Sequence, residues 1–237
     1  DTTPEGEQVN IYGNHVGSWN FAATAYLNQW KVKIYYEHYF DDHSQMFFQY
    51  GRWKDGHIGL EITFPKNRFI DTFVYEGLGT KDQTGPMLYD SFWGEFEEQI
   101  SAKDNYYNHY LYQGWQHWGM GIGNPLLPGP IYNKNGQITF ISNRVLAHHI
   151  GFCGSPCQSL SYRMLLSYSR HWGTYDNPLN EIKKQFNSLF EVTYAPQQLK
   201  GWSFTVSGAM DRGNILGNNY GGMLVIRKQG IIKSGNK

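Results

Sequence analysis

Hydrophobic residues recur in this chain with a period of two, segment after segment, and each segment stops at a cluster of Gly, Pro, Asn or Asp. A β-strand sends successive side chains to opposite faces, so this period calls for strands with one apolar and one polar side. Trp19, Phe21, Ala23, Ala25 and Leu27 share one face of the first segment, against Ser18, Asn20, Ala22 and Thr24 on the other. Past Asn28-Gln29, Trp30, Val32, Ile34 and Tyr36 alternate with Lys31, Lys33, Tyr35 and Glu37. Ile58, Leu60, Ile62 and Phe64 alternate with His57, Gly59, Glu61 and Thr63. Further strands are predicted at about 69–77, 144–153, 160–170, 187–194, 202–210 and 220–228, nine in all.

The connections alternate in length: short (28–29), long (41–56), short (65–68), very long (78–143), short (154–159), long (171–186), short (195–201), long (211–219). Bacterial outer-membrane barrels have short periplasmic turns and longer extracellular loops, whereas the loops of a soluble sandwich vary at both ends. The expected fold is therefore an all-β, antiparallel transmembrane β-barrel. Residues 1–14 are a loop entering the first strand, 15–230 are barrel wall with an extracellular insertion at 78–143, and 231–237 are a tail with a periplasmic C-terminus. Whole bacterial barrels have even strand numbers, and hydrocarbon tolerates no open sheet edge. Nine strands beginning outside therefore imply an upstream odd-numbered set, from the same barrel or another chain, in a barrel of roughly sixteen to twenty strands. A strand pair hidden within the insertion, with 137–141 a candidate, would change the total but not the parity.

Composition agrees. Aromatics and charged residues each make up 17 % of the chain, and Tyr and Trp suit a boundary between lipid and water. Balanced formal charge gives no electrostatic reason for a nucleic-acid partner. No apolar run is long enough for a membrane helix. The polar start at 1–14 is not a signal peptide, so an exported chain has lost one or belongs to a longer product. Cys153 and Cys157 flank Gly154-Ser155-Pro156, where a turn could bring them within disulfide reach; two unpaired thiols are the alternative.

The stretches 14–42, 64–69, 75–86, 104–127, 143–152, 171–178, 199–204 and 218–230 together resemble the Bacteroidetes branch of the capsule assembly Wzi family. The most specific is DNYYNHYLYQGWQHWGMGIGNPLL at 104–127. The resemblance implies an eighteen-stranded outer-membrane barrel, closed by its extracellular loops, that holds capsular polysaccharide at the cell surface as a lectin-like anchor. It implies no catalysis and no cofactor. Members of the family are roughly twice this length, so the chain corresponds to the carboxy-terminal half.

Within the insertion, Tyr106, Tyr107, Asn108, His109, Tyr112, Trp115, His117 and Trp118 concentrate rings and amides. Sugars pack apolar ring faces on aromatics and offer hydroxyls to Asn and His. Tyr106, Tyr107, Asn108, His109, Trp115, His117 and Trp118 are thus candidate polysaccharide contacts; the alternative is a plug that occludes the barrel. Glu95, Glu97, Glu98 and Asp104 supply the carboxylates that glycoside hydrolysis needs, but four acids in a solvated loop are commonplace. His148 and His149 are adjacent on a strand, face opposite ways and cannot chelate one metal. Arg163, Arg227, Lys31 and Lys33 are expected to face the lumen. Two other functions fit the pattern less closely, a porin with a constricting loop and a soluble carbohydrate-binding β-protein.

Overall fold

A computed structural model describes residues 16–41, 55–67, 69–83, 105–108 and 115–230. Nine strands form one antiparallel sheet in which each pairs with its neighbour along the chain. They are β1 (Val16–Leu27), β2 (Trp30–Asp41), β3 (Gly56–Thr63), β4 (Thr72–Gly79), β7 (Val145–Cys157), β8 (Leu160–Gly173), β9 (Pro178–Tyr194), β10 (Trp202–Gly213) and β11 (Asn219–Lys228). A separate two-stranded hairpin, β5 (Gln116–His117) and β6 (Met120–Gly121), lies in the insertion. No α-helix occurs among the described residues. Among the described residues β1 and β11 each pair on one side only, so the sheet they form is open.

Several boundaries differ from the sequence reading. β7 runs on through Cys157, with a bulge between Gly154 and Cys157, and only Gln158-Ser159 turn. Cys153 sits opposite Arg163 and Cys157 opposite Leu160, three positions apart on the partner strand. At a rise of about 3.3 Å per residue this is ~10 Å, beyond disulfide reach. Both cysteines are free, so the cross-link considered for Cys153 and Cys157 is not formed. The expected long connections 171–186 and 211–219 shrink to 174–177 and 214–218. The ladder continues past the apolar belt through polar residues such as Lys183, Lys184 and Gln185, where period-two hydrophobicity had faded. Residues 137–141 form no strand.

The turns are built by their own chemistry. Asn28 takes the left-handed conformation (φ 56°) that a two-residue hairpin requires and that Asn tolerates. In 64–71, the Asn67 Oδ1 accepts from the Phe69 and Ile70 amides at 2.8 and 2.9 Å, and Nδ2 donates to the carbonyls of Pro65 and Ile70.

Register places every apolar segment on the same side of the sheet. Phe21 faces Tyr36, Ala23 faces Ile34, Ile34 faces Leu60, Leu60 faces Tyr75, and Tyr75 faces Ile150. The row goes on through Leu166, and parallel rows join Phe190, Val206 and Leu224. None of the described residues covers this face: Phe21, Ile34, Phe190, Val206 and Leu224 are all half exposed or more. Aromatics border it at both ends. Trp30 packs on Phe64 (5.1 Å between centroids) and Trp202 on Phe204 (6.3 Å) at the short-turn end, and Trp19 on Phe40 (6.4 Å) at the other.

The opposite face is polar. Glu37, Glu61, Glu76, Glu191 and Asp211 all lie on it, with Lys31, Lys33, Arg163 and Arg227 as expected from the alternation. Ion pairs join Lys31 to Glu61 (3.2 Å) and Arg163 to Glu191 (3.3 Å). The sheet's amphipathicity is thus inverted relative to a water-soluble protein, whose apolar side faces the core.

On the polar side Gly59 lies under the Tyr35 ring, whose hydroxyl donates to Glu76. A methyl at Gly59 would drive that ring away. Gly59→Ala is expected to lose about 1–3 kcal/mol by overpacking, measured as the urea unfolding midpoint.

Candidate functional site

The buried apolar residues form one small cluster at the long-loop end of the polar face. Leu78, Val145 and Ala147 come from β4 and β7; Tyr107, Leu127 and Phe140 come from the insertion packed over them. The described part of the insertion therefore docks on the polar side and leaves the apolar face bare.

A knot of buried polar groups fastens it. Asp55, just before β3, accepts from the backbone amides of Asp82 (2.8 Å) and Gln83 (2.6 Å) and from the Tyr106 hydroxyl (3.0 Å). The Gln83 side chain donates to Asn143 Oδ1 at 3.0 Å, and Asn143 Nδ2 donates to the Tyr106 carbonyl at 2.9 Å. Burial pushes the Asp55 carboxyl up to about 6, against the pull of its three donors. Asn108 pairs with the Phe140 backbone in both directions at 2.8 Å, as a strand neighbour would.

Between the sheet and this roof lies a cleft of about 800 Å³. Its floor is Glu37, His57, Glu76, His149, Ser167 and Asn187; its roof includes Tyr107, Asn124 and Tyr132. His57 stands between two carboxylates, with Nδ1 3.7 Å from Glu37 and Nε2 3.5 Å from Glu76. His149 Nδ1 and Ser167 Oγ are 2.7 Å apart. His171 is buried in the wall, one ring nitrogen 2.9 Å from Ser169 Oγ, while its Nδ1 has no hydrogen-bond partner among the described residues. A buried nitrogen left open in a polar cleft calls for a water or a ligand hydroxyl. Carboxylates, imidazoles, amides and hydroxyls in one recess suit a polyhydroxylated ligand.

The predicted contact residues separate into two groups. Tyr106 and Tyr107 are buried in the anchor and the cluster, Asn108 is spent on the Phe140 backbone, and Trp115 stacks on Tyr107 (6.4 Å). His117 and Trp118 stand at the tip of the β5–β6 hairpin, ring edge to ring face at 6.2 Å, and Trp118 is 84 % exposed. His109, Tyr112, Glu95, Glu97, Glu98 and Asp104 lie outside the described residues. His148 is on the apolar face, 2.8 Å from the Tyr75 hydroxyl, and His149 is on the polar one, as adjacent strand residues must be. No cluster that could hold a metal ion occurs among the described residues.

Trp118 occupies an unusual backbone position. It and Gly119 fill a two-residue hairpin turn with φ 52° and 78°, where Asn-Gly is the favoured pair. A bulky residue held left-handed and fully displayed breaks a local folding rule, and such breaks gather at functional positions.

The cleft floor escaped the sequence reading because its members come from β2, β3, β4, β7, β8 and β9. Their polar-face parity was visible in the alternation of Glu37 and His57, but only strand register sets them side by side. No family model, no curated protein and no solved structure matches this chain.

Proposed function

We propose that this chain forms part of the wall of an outer-membrane β-barrel that retains capsular polysaccharide at the cell surface without catalysis. The inverted amphipathicity carries the reading: the apolar face lies uncovered between two aromatic bands, and the polar face carries the insertion. From Trp30 to His38 the belt spans nine residues of β2, at the lower end of the roughly nine to eleven that a tilted strand needs to cross a bilayer. Hydrocarbon can cover such a face and water cannot. The unpaired edges of β1 and β11 would be satisfied by further strands from the same barrel or a second chain. The long-loop end is extracellular in this reading, and the insertion occupies the lumen.

The resemblance of 104–127 to capsule assembly Wzi proteins supplies the polysaccharide. The cleft and the displayed Trp118 give it chemistry: hydroxyl partners in the recess and an aromatic platform at the hairpin tip. Insertion residues packed over the lumenal face disfavour an open porin, which would conduct freely.

Trp118→Asn tests the site with folding held in favour, because Asn suits the turn better than Trp. The hairpin should gain up to about 1 kcal/mol, while capsule retained on intact cells falls severalfold. Unchanged retention would remove Trp118 from the contact surface. Extraction of the wild-type protein into buffer without detergent would end the barrel reading itself.

A further inference from the structure

In the described strands the apolar face carries no Asp or Glu, yet it is not free of charge. In three adjacent strands the first residue past the apolar belt on this face is a cation: Arg170 two beyond Tyr168 in β8, Lys184 two beyond Phe186 in β9, and Arg212 two beyond Met210 in β10. Arg170 and Lys184 are direct cross-strand partners, and Arg212 lies one strand further on, opposite Phe186. Arg144 and Lys81 continue the row past the ends of β7 and β4, with Arg144 Nε 3.4 Å from the Lys81 carbonyl. Five neighbouring strands at about 4.8 Å spacing make the row ~19 Å wide.

Like charges set side by side repel, so the row needs an external anion to be favourable. Among the described residues no carboxylate pairs with any of the five. Aromatic rings steady the side chains in place of acids. Arg170 and Lys81 lie over the Trp172 ring at 4.9 and 4.7 Å, and Arg144 lies over Tyr175 at 3.9 Å. The Arg170 Nε is buried yet has no hydrogen-bond partner among the described residues.

We infer that the row Lys81–Arg144–Arg170–Lys184–Arg212 is a binding site for the phosphate groups of the lipid headgroups that surround the barrel at its long-loop end, those of the phosphorylated glycolipid of the outer leaflet. The inference rests on the membrane reading, since only lipid standing against the apolar belt brings its headgroup to this height. Guanidinium groups match phosphate oxygens in pairs, and lysine adds a point charge between them. The acyl chains of the same lipid lie along the uncovered strands below.

The intact protein, purified in non-ionic detergent, is titrated with bisphosphorylated lipid A, and bound lipid is counted by native mass spectrometry. Each cation near a charged lipid surface is worth about fivefold in affinity, so Arg170→Gln/Lys184→Gln/Arg212→Gln should weaken binding roughly a hundredfold. The conservative Arg170→Lys/Arg212→Lys variant should keep most of it. Dephosphorylated lipid A should bind the wild type as poorly as bisphosphorylated lipid A binds the triple variant, and inorganic phosphate should not compete at millimolar concentration. Equal binding of lipid A by wild type and triple variant overturns the site, as does full competition by free phosphate. Should the triple variant fail to give the wild-type circular dichroism spectrum, the single Lys184→Glu variant replaces it, with at least a tenfold loss expected. A protein that leaves the membrane fraction without detergent refutes the barrel reading; one that stays there but ignores phosphorylation refutes only the headgroup site.

Discussion

Ile34→Arg is expected to destabilise the folded protein by about 2–4 kcal/mol in phospholipid vesicles, the cost of a cation at the lipid-facing midplane of a barrel. Ile34 sits halfway along β2 between Trp30 and His38, faces Ala23 and Leu60, and is 54 % exposed. In a water-soluble protein the same change at so open a position would stay within about 0.5 kcal/mol, and solubility would improve. The urea midpoint of unfolding from vesicles decides between them. Lys33→Arg, one residue away on the polar face, should leave the midpoint unmoved in either case. The large gap between the two outcomes makes this the sharpest test of which solvent the sheet has.

Asp55→Ala should release the insertion. It removes the acceptor of two backbone amides and one hydroxyl at a buried position, and a stranded buried donor costs about 1–3 kcal/mol. Several such losses at one point exceed what a loop anchor can absorb, so protease should cut within 80–144 while the strands persist. In planar bilayers, the proposed barrel should pass more current once the insertion leaves the polar face. The wild-type anchor also carries a pH dependence of known sign. Its buried carboxyl is raised to about 6, so the folded protein takes up the proton before the unfolded chain does. The anchor is strongest below pH 4, weakens as pH climbs to about 6, and is level above that. The displacement from an ordinary carboxyl near 3.8 corresponds to about 3 kcal/mol across that window. Asp55→Asn should flatten the profile between pH 4 and 7, read as the protease concentration needed for half cleavage. A carboxylate left ionised throughout by its donors would instead give a wild-type profile without that slope.

The strands were legible because a half-buried sheet writes its two faces into alternate residues. Trp19 to Leu27 and Trp30 to Tyr36 already name the apolar side, and the placing of Lys31, Lys33, Arg163 and Arg227 on the polar side followed from parity alone. Strand ends were less legible. Beyond the apolar belt polar residues enter both faces, so the end of β8 and the start of β9 carry no clear period to read, and 171–186 has the look of a loop. The Gly-Ser-Pro run at 154–156 looked like a turn but is a bulge, because β8 supplies a ladder on its other side. Inside the insertion the aromatic run signalled importance without assigning roles. Tyr106 serves the Asp55 anchor and Trp118 stands free of it, a division made by tertiary contacts that no spacing rule contains.

Eight ladders join the nine strands, and seven of them connect segments separated by short or moderate stretches of chain. The β4–β7 ladder alone closes over the whole of 80–144. Chain entropy makes that closure the slowest zipping event, so β1–β4 and β7–β11 should assemble as two blocks that meet late along a seam. Asp55, Gln83 and Asn143 stand at the mouth of the enclosed loop and latch it once the seam has formed. Force applied across β4 and β7 should therefore rupture the protein there first, in one step that frees the insertion while both blocks remain folded.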